Sequence, residues 1–183
     1  MLPWLNPTRA WEENSRLTLI VDLDQNRLSD VRAGDPVEKL SFLGPAEVTP
    51  SGFIWPRKGI DVTACDGGIR ELGFYFGHAA EPNKGVFVGG FRYGLVPVRL
   101  SKASSELDVL ALFGQPYWRD QDEDEILLFF EFPTGEWQLE FDLDATLKHL
   151  RIGFSMLADA EQRAAYGVTK PWPPDFMLPP RPV

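Results

Sequence analysis

Two histidines, one cysteine and a surplus of carboxylates are the side chains that could do chemistry in this chain. A zinc site of ordinary type gathers three or four N, S or O ligands at close spacing, and the sequence around His78, His149 and Cys65 holds no such cluster. Cys65 with either histidine would make a nucleophile and its base. It ends an apolar alternating run just before a turn, however, so a buried structural thiol is expected. His149 lies in residues 147–154, where Arg151 shares its face and Leu150, Ile152 and Phe154 do not. That pattern predicts a solvent-facing imidazole beside Arg151, pairing with carboxylates on the neighbouring strand. The glycines of GVFVGG at residues 85–90 are wrongly spaced for a dinucleotide or Walker phosphate loop, and no helix follows them. A serine nucleophile elbow is absent. Paired carboxylates would fit a carboxylate-based hydrolase, but here they sit in a charge run. No catalytic residue, metal ligand or cofactor is expected, and an enzyme is disfavoured.

The carboxylates are unevenly placed. Residues 119–144 hold ten acids (Asp120, Asp122, Glu123, Asp124, Glu125, Glu131, Glu136, Glu140, Asp142, Asp144) and a single base, Arg119. The formal net charge is −9, and outside that segment 17 acids balance 17 bases. In residues 136–143, EWQLEFDL, the alternation directs Trp137, Leu139, Phe141 and Leu143 to one face and Glu136, Gln138, Glu140 and Asp142 to the other. One sheet face is thus expected to be apolar and packed, and the opposite one acidic. The DQDEDE loop at residues 120–125 adds five carboxylates at the edge of the same unit, directly after Tyr117 and Trp118. Three readings fit: a solvated face, a calcium site, and a docking patch for a basic protein. Asp120, Asp122 and Asp124 have the ligand spacing for calcium, but the glycine and distal glutamate of a twelve-residue calcium loop are missing. Aromatic rings beside acids suit docking, because rings anchor while charge steers association. The candidate contact residues are therefore Tyr117, Trp118, Asp120, Asp122, Glu123, Asp124, Glu125, Glu136, Glu140 and Asp142.

Bulk properties agree with a binding protein. At 183 residues the chain can build one sizeable core, here expected to be a single domain. The acidic balance disfavours direct contact with a nucleic-acid backbone and favours a basic partner. One cysteine rules out an internal disulfide. The N-terminal MLPWLNP lacks a basic segment and is a poor secretion signal, and no apolar run reaches the roughly 20 residues that span a bilayer. A soluble cytoplasmic protein is expected.

These residues must be positioned by an α+β framework in which antiparallel sheet dominates. Residues 1–16 read as a lead-in whose Trp4 and Trp11 pack on the body, and residues 17–23, LTLIVDL, alternate as a strand. Asp35 as N-cap, Pro36 and Glu38 predict a short helix with Val37, Leu40 and Leu43 inward and Gly44-Pro45 as its stop. Strands follow at 52–56, 59–64 and 69–76, the last two joined by an Asp66-Gly67-Gly68 hairpin turn. Residues 78–84 read as a loop and 86–100 as broken strand. The same order then recurs. Ser104 or Ser105 caps a helix with Leu107, Leu110 and Ala111 as its apolar stripe, Gly114 ends it, and strands follow at 126–132, 136–143 and 147–154. Two pseudo-repeat units of helix plus three-strand meander, about 17–100 and 101–157, are predicted. A C-terminal segment, 158–183, comprises a short helix capped by Asp159 and a tail with six prolines in residues 170–183. That tail reads as extended chain laying Trp172, Phe176 and Met177 along the body, or as a proline-motif ligand.

A short helix ending in Leu-Gly-x-Pro, followed by a three-strand meander and repeated, resembles the β-lactamase-inhibitory-protein type of fold. Residues 110–116 with 126–152 carry the resemblance best, and 40–45 with 54–76 more loosely. The second half is also similar to cytoplasmic immunity proteins that bacteria encode beside polymorphic or type VI secreted toxins, which are small, acidic and free of catalytic motifs. The resemblance implies a non-catalytic protein that binds and neutralises a cognate toxin. A basic nuclease would be the natural target of the acidic face.

Overall fold

The computed structural model describes residues 6–77, 85–132, 134–154 and 160–168. The readings of Trp4, His78, the 78–84 loop, the Asp159 cap and the 170–183 tail, with Trp172, Phe176 and Met177, lie outside these residues.

Among the described residues strands outnumber helices, as the alternation predicts, and they form two sheets. The smaller takes β1 (Ile20–Asp22), β2 (Arg27–Leu28), β3 (Val31–Arg32), β8 (Gly90–Tyr93) and β9 (Val96–Val98) in the order β3-β2-β1-β8-β9. Its β1 and β8 run parallel, an exception to the antiparallel rule elsewhere. The larger has eight strands. Four come from the first half: β4 (Glu47–Thr49), β5 (Gly52–Trp55), β6 (Ile60–Cys65) and β7 (Gly68–Tyr75). Four come from the second: β10 (Trp118–Gln121), β11 (Glu125–Phe132), β12 (Gly135–Asp142) and β13 (Leu147–Gly153). The order β10-β11-β12-β13-β7-β6-β5-β4 makes two antiparallel meanders that meet where β13 pairs β7. Each meander has four strands rather than the expected three, the additional ones being the short β4 and β10 at the two edges of the sheet.

A 3-10 helix (Val37–Leu43) leads the first meander and α1 (Glu106–Phe113) the second. The first departs from the expected cap. Asp35 gives its carboxylate to the Arg32 N–H at 3.0 Å and to Lys39 at 2.8 Å, so Pro36 stands at the N-cap without a side-chain bond. Its buried residues Val37, Leu40 and Leu43 are three apart, the period of a 3-10 helix, and Gly44 ends it. In α1, Ser105 forms the full capping box with Asp108. The predicted stripe is displaced. Leu107 and Ala111 are exposed, while Val109 is buried and Phe113 packs its ring 5.1 Å from that of Trp137. A second short helix, α2 (Ala160–Tyr166), follows the large sheet.

One core joins the two sheets. Trp137, Leu139, Phe141, Leu150, Ile152, Leu72 and Phe74 line the inner face of the large sheet, and Val21, Leu28 and Phe91 meet them from the small one. Phe74 and Phe91 pack edge to face at 6.0 Å, as do Tyr93 and Trp137 at 5.9 Å. Two expectations fail at strand ends. Leu17, placed inward by alternation, is exposed, because β1 begins only at Ile20. Cys65 is exposed rather than buried, since it is the last residue of β6 before the Asp66-Gly67 turn. Among the described residues, no helix is long and apolar enough to cross a membrane.

Candidate functional site

Alternation gives the large sheet a second face, and this face gathers the polar residues. The register sets Trp118 opposite Phe129, Phe129 opposite Gln138, Gln138 opposite Arg151, and Arg151 opposite Gly73, which faces Asp61. One row along, Asp120, Leu127, Glu140, His149 and Tyr75 follow one another. Sequence-predicted Trp118, Asp120 and Glu140 therefore share a face with His149.

His149 corrects the expectation of a solvent-facing imidazole: it is 3% exposed. Its Nε2 lies 2.9 Å from Asp61 Oδ1, and the ring stacks on Tyr75 at 4.1 Å with planes 9° apart. The Arg151 Nε donates to Nδ1 at 3.3 Å, which leaves the imidazole proton on Nε2, facing Asp61. That Arg151 shares its face was legible; the covering by Tyr75, distant in sequence, was not. The Asp61–His149 pair has the orientation of an orienting acid and a base, but its imidazole is walled in by Tyr75, Arg151 and the sheet. It acts as a buried polar tie between the two meanders.

Glu125 and Glu140 share one cation that sequence reasoning missed. Lys148 Nζ lies 2.5 Å from Glu140 and 3.5 Å from Glu125. Strict alternation puts Lys148 on the opposite face from His149. A bulge changes that: Glu140 pairs with His149 and Phe141 with Leu147, leaving Lys148 as the extra residue, free to turn onto the polar face. Burial pushes the Glu140 carboxyl up, but the Lys148 hydrogen bond and charge outweigh it, and the net shift is downward. Glu125 moves the opposite way, raised by burial and by the neighbouring Glu140. Lys148 itself is raised, the pull of the two carboxylates overcoming its burial.

Glu136 is also not on an open acidic face. It is fully buried, and the Tyr117 hydroxyl donates to it. Burial and the Glu136 charge push the Tyr117 phenol far up, so it stays a donor. Glu131, opposite Glu136 in the register, is buried as well. Trp118 stacks on Phe129 at 4.8 Å and meets Tyr166 of α2 at 5.2 Å. Tyr117 and Trp118 thus serve the packing of this face and of α2 rather than standing free as anchors.

What remains of the acidic surface is narrower than the sequence implied, and it lies at one end of the sheet. Asp120 belongs to β10 and is half-buried, so the expected loop is reduced to a tight turn. There Asp122 Oδ1 accepts the N–H groups of Asp124 at 2.8 Å and Glu125 at 2.9 Å, which lowers its pKa. Glu125 pairs with Asp142 across the sheet, so this turn adjoins the one between β12 and β13. In that second turn Asp142 Oδ1 accepts the Thr146 N–H at 2.7 Å. Leu143, expected on the packed face, stands between Asp142 and Asp144 with 51% of its surface exposed, because the strand ends one residue earlier. Asp122, Glu123, Asp124 and Asp144 are exposed, and among the described residues none of them is ion-paired. Arg119, the lone base of the segment, is taken by Glu106 at 2.7 Å.

No protein-family model matches the chain, and no curated protein or solved structure matches it.

Proposed function

We propose that this chain is a non-catalytic cytoplasmic protein that captures a basic protein partner at the acidic end of its large sheet, and that the partner is a secreted bacterial toxin, in line with the resemblance to immunity proteins. The observation that carries the reading is Leu143, an exposed apolar residue between Asp142 and Asp144, in a turn that adjoins the one bearing the exposed Glu123 and Asp124. An apolar anchor inside a charged rim is the arrangement of a binding hot spot: the anchor is desolvated on contact while the rim steers the partner. The carboxylates would oppose the basic surface that a nuclease prepares for phosphate. The order of the large sheet supports reading it as two helix-led meander units, as the inhibitor-like resemblance implies.

The competing chemistries find less support. Among the described residues, no group of three or more His, Cys, Asp or Glu could hold a metal ion, and Asp122 spends its Oδ1 on backbone donors. Glu125 and Glu140 are bridged by Lys148 instead of flanking a space for substrate.

Titration calorimetry of the purified chain against the product of the gene adjacent to its own tests the reading. Glu123→Lys with Asp124→Lys and Asp144→Lys should weaken binding by tenfold or more, about 1.4 kcal/mol, and flatten its salt dependence. Leu143→Ala should weaken it without changing that dependence. Unchanged affinity in both variants removes the acidic end from the mechanism, and a metabolic enzyme as the neighbouring product removes the toxin.

A further inference from the structure

At the opposite end of the large sheet lies a cleft of about 390 Å³, continuous with a smaller one of about 200 Å³ through Gln25, Arg32 and Asp35. One wall is held rigid. Asn26 is buried, its Oδ1 accepts from Trp137 Nε1, and its Nδ2 donates to Thr134 Oγ1 at 3.2 Å. Thr134 in turn donates to the Asp24 carbonyl at 2.8 Å. Ala33, Gly34, Gly153 and Phe154 make another part of the lining apolar. Gly34, at φ +89°, lies so close to the Phe154 ring that a Cβ there would meet Cζ at 3.1 Å, and Gly153 adjoins the same ring in sequence.

Most of the charges in the groove are matched. Asp35 is matched by Lys39 at 2.8 Å, and Arg27 by Asp22 at 3.0 Å. The Arg32 side chain is exposed and, among the described residues, makes no close ion pair, although its charge helps to hold the Asp35 carboxyl down. In the lining of the larger cleft, where Asp35 is taken by Lys39, Arg32 is the charge left over; Asp30, exposed and also without an ion-pair partner among the described residues, lines the smaller one. One unmatched guanidinium beside an aromatic wall is complementary to one negative charge on an apolar body. A doubly charged phosphate would meet about twice the repulsion from Asp30 and Asp35 that a monoanion meets, so the match is to a monoanion.

We propose that this cleft binds a carboxylate carried on an aromatic or branched apolar body, with the Arg32 guanidinium taking the carboxylate and Phe154 with the Gly34 backbone taking the body. Bidentate guanidinium–carboxylate pairing gives the orientation, and a volume of a few hundred Å³ suits a small ligand. The same chemistry is offered by a free organic acid and by a peptide C-terminus.

Backbone amide NMR shifts on the full chain distinguish these. The probes are 3-phenylpropionate, its uncharged amide 3-phenylpropionamide, and acetyl-Ala-Ala-Phe with free or amidated C-terminus. The acids should move the amides of Arg32, Ala33, Gly34 and Phe154 saturably and bind tenfold or more tightly than the matching amides. Arg32→Gln should abolish that preference and Arg32→Lys should keep part of it; the side chain is exposed, so both variants fold, as their spectra will show. Tighter binding of the peptide assigns the site to a protein C-terminus, and tighter binding of phenylpropionate to a free acid. Equal binding of acid and amide, an unaffected Arg32→Gln variant, or no shifts up to about 20 mM probe overturns the proposal.

Discussion

His149 and Asp61 meet 2.9 Å apart across Gly73, the residue of β7 that separates their strands. The contact joins β13 of one meander to β6 of the other, bridging the central pair of the eight-stranded sheet. A buried imidazole and a carboxylate are costly to desolvate unless each finds a partner. Their pairing, with Arg151 on the other ring nitrogen and Tyr75 against the ring face, satisfies both groups. The space for it exists only because Gly73 has no side chain.

Gly73→Ala should therefore be strongly destabilising. A Cβ at this position would lie 1.9 Å from Asp61 Oδ1 and 2.6 Å from His149 Nε2, so the pair must separate. Overpacking and a broken buried hydrogen bond each cost roughly 1–3 kcal/mol, and urea unfolding should show a loss in the upper part of their sum. Gly68→Ala is the control. Its Cβ would meet only the Cys65 carbonyl oxygen, at 3.5 Å, and its stability should match the parent.

Lys148→Met should leave Glu125 and Glu140 facing one another without their cation. The side chains are half-buried, so the cost at neutral pH lies between that of an exposed and a buried pair, roughly 1–3 kcal/mol. Its pH dependence is diagnostic. Glu140 is lowered in the fold, so its contribution is present above the ordinary carboxylate range and is lost as pH falls through its folded value. Glu125 is raised, so its charged form costs stability and acidification relieves it. Without Lys148 the strongest of the influences that lower Glu140 is lost. Unfolding curves at neutral pH and about pH 5 should then show the variant recovering stability relative to the parent on acidification.

Much of this arrangement could be read from residue order, and the failures share a cause. The Asp66-Gly67 turn is legible because both residues adopt positive φ, +53° and +78°, which Asp and Gly tolerate. The alternation of 136–142 correctly divides Trp137, Leu139 and Phe141 from Glu136, Gln138 and Glu140. Alternation separates two faces but does not say what covers the second one. Glu136 and His149 read as solvent-facing because Tyr117 and Tyr75 approach them only in the folded sheet. A single bulge residue was enough to hide Lys148. The acidic run was visible as composition, but its division into a paired part and an unpaired end depends on which strand termini adjoin.

Tyr117→Phe should expose the cost of the buried Glu136. Loss of the hydroxyl takes one donor from a fully buried carboxylate, at about 1–3 kcal/mol. Glu136→Leu alone removes the acceptor of that hydrogen bond instead. If the two groups act on each other, the double variant will lose less stability than the sum of the single losses. Additive losses would mean that Tyr117 contributes independently of Glu136, as through its ring, packed 6.2 Å from that of Phe129.

Reversing the unpaired acids should separate stability from binding. Glu123, Asp124 and Asp144 are exposed and unpaired among the described residues, beside Asp122 and Asp142 on two adjoining turns. Like charges at such spacing repel, and the repulsion is screened once the Debye length falls from about 30 Å at 0.01 M to about 10 Å at 0.1 M salt. The melting temperature of the parent should accordingly rise with added salt over that range. In the Glu123→Lys, Asp124→Lys, Asp144→Lys variant, each lysine sits beside a remaining carboxylate. Its melting temperature at low salt should equal or exceed that of the parent, and its salt response should flatten. Asp122 is left in place because its carboxylate holds the turn through two backbone donors. A surface that destabilises its own fold is retained when binding needs it, so higher stability together with weaker partner capture is the signature expected of this end. A variant that melts early at low salt would show instead that these acids serve the fold.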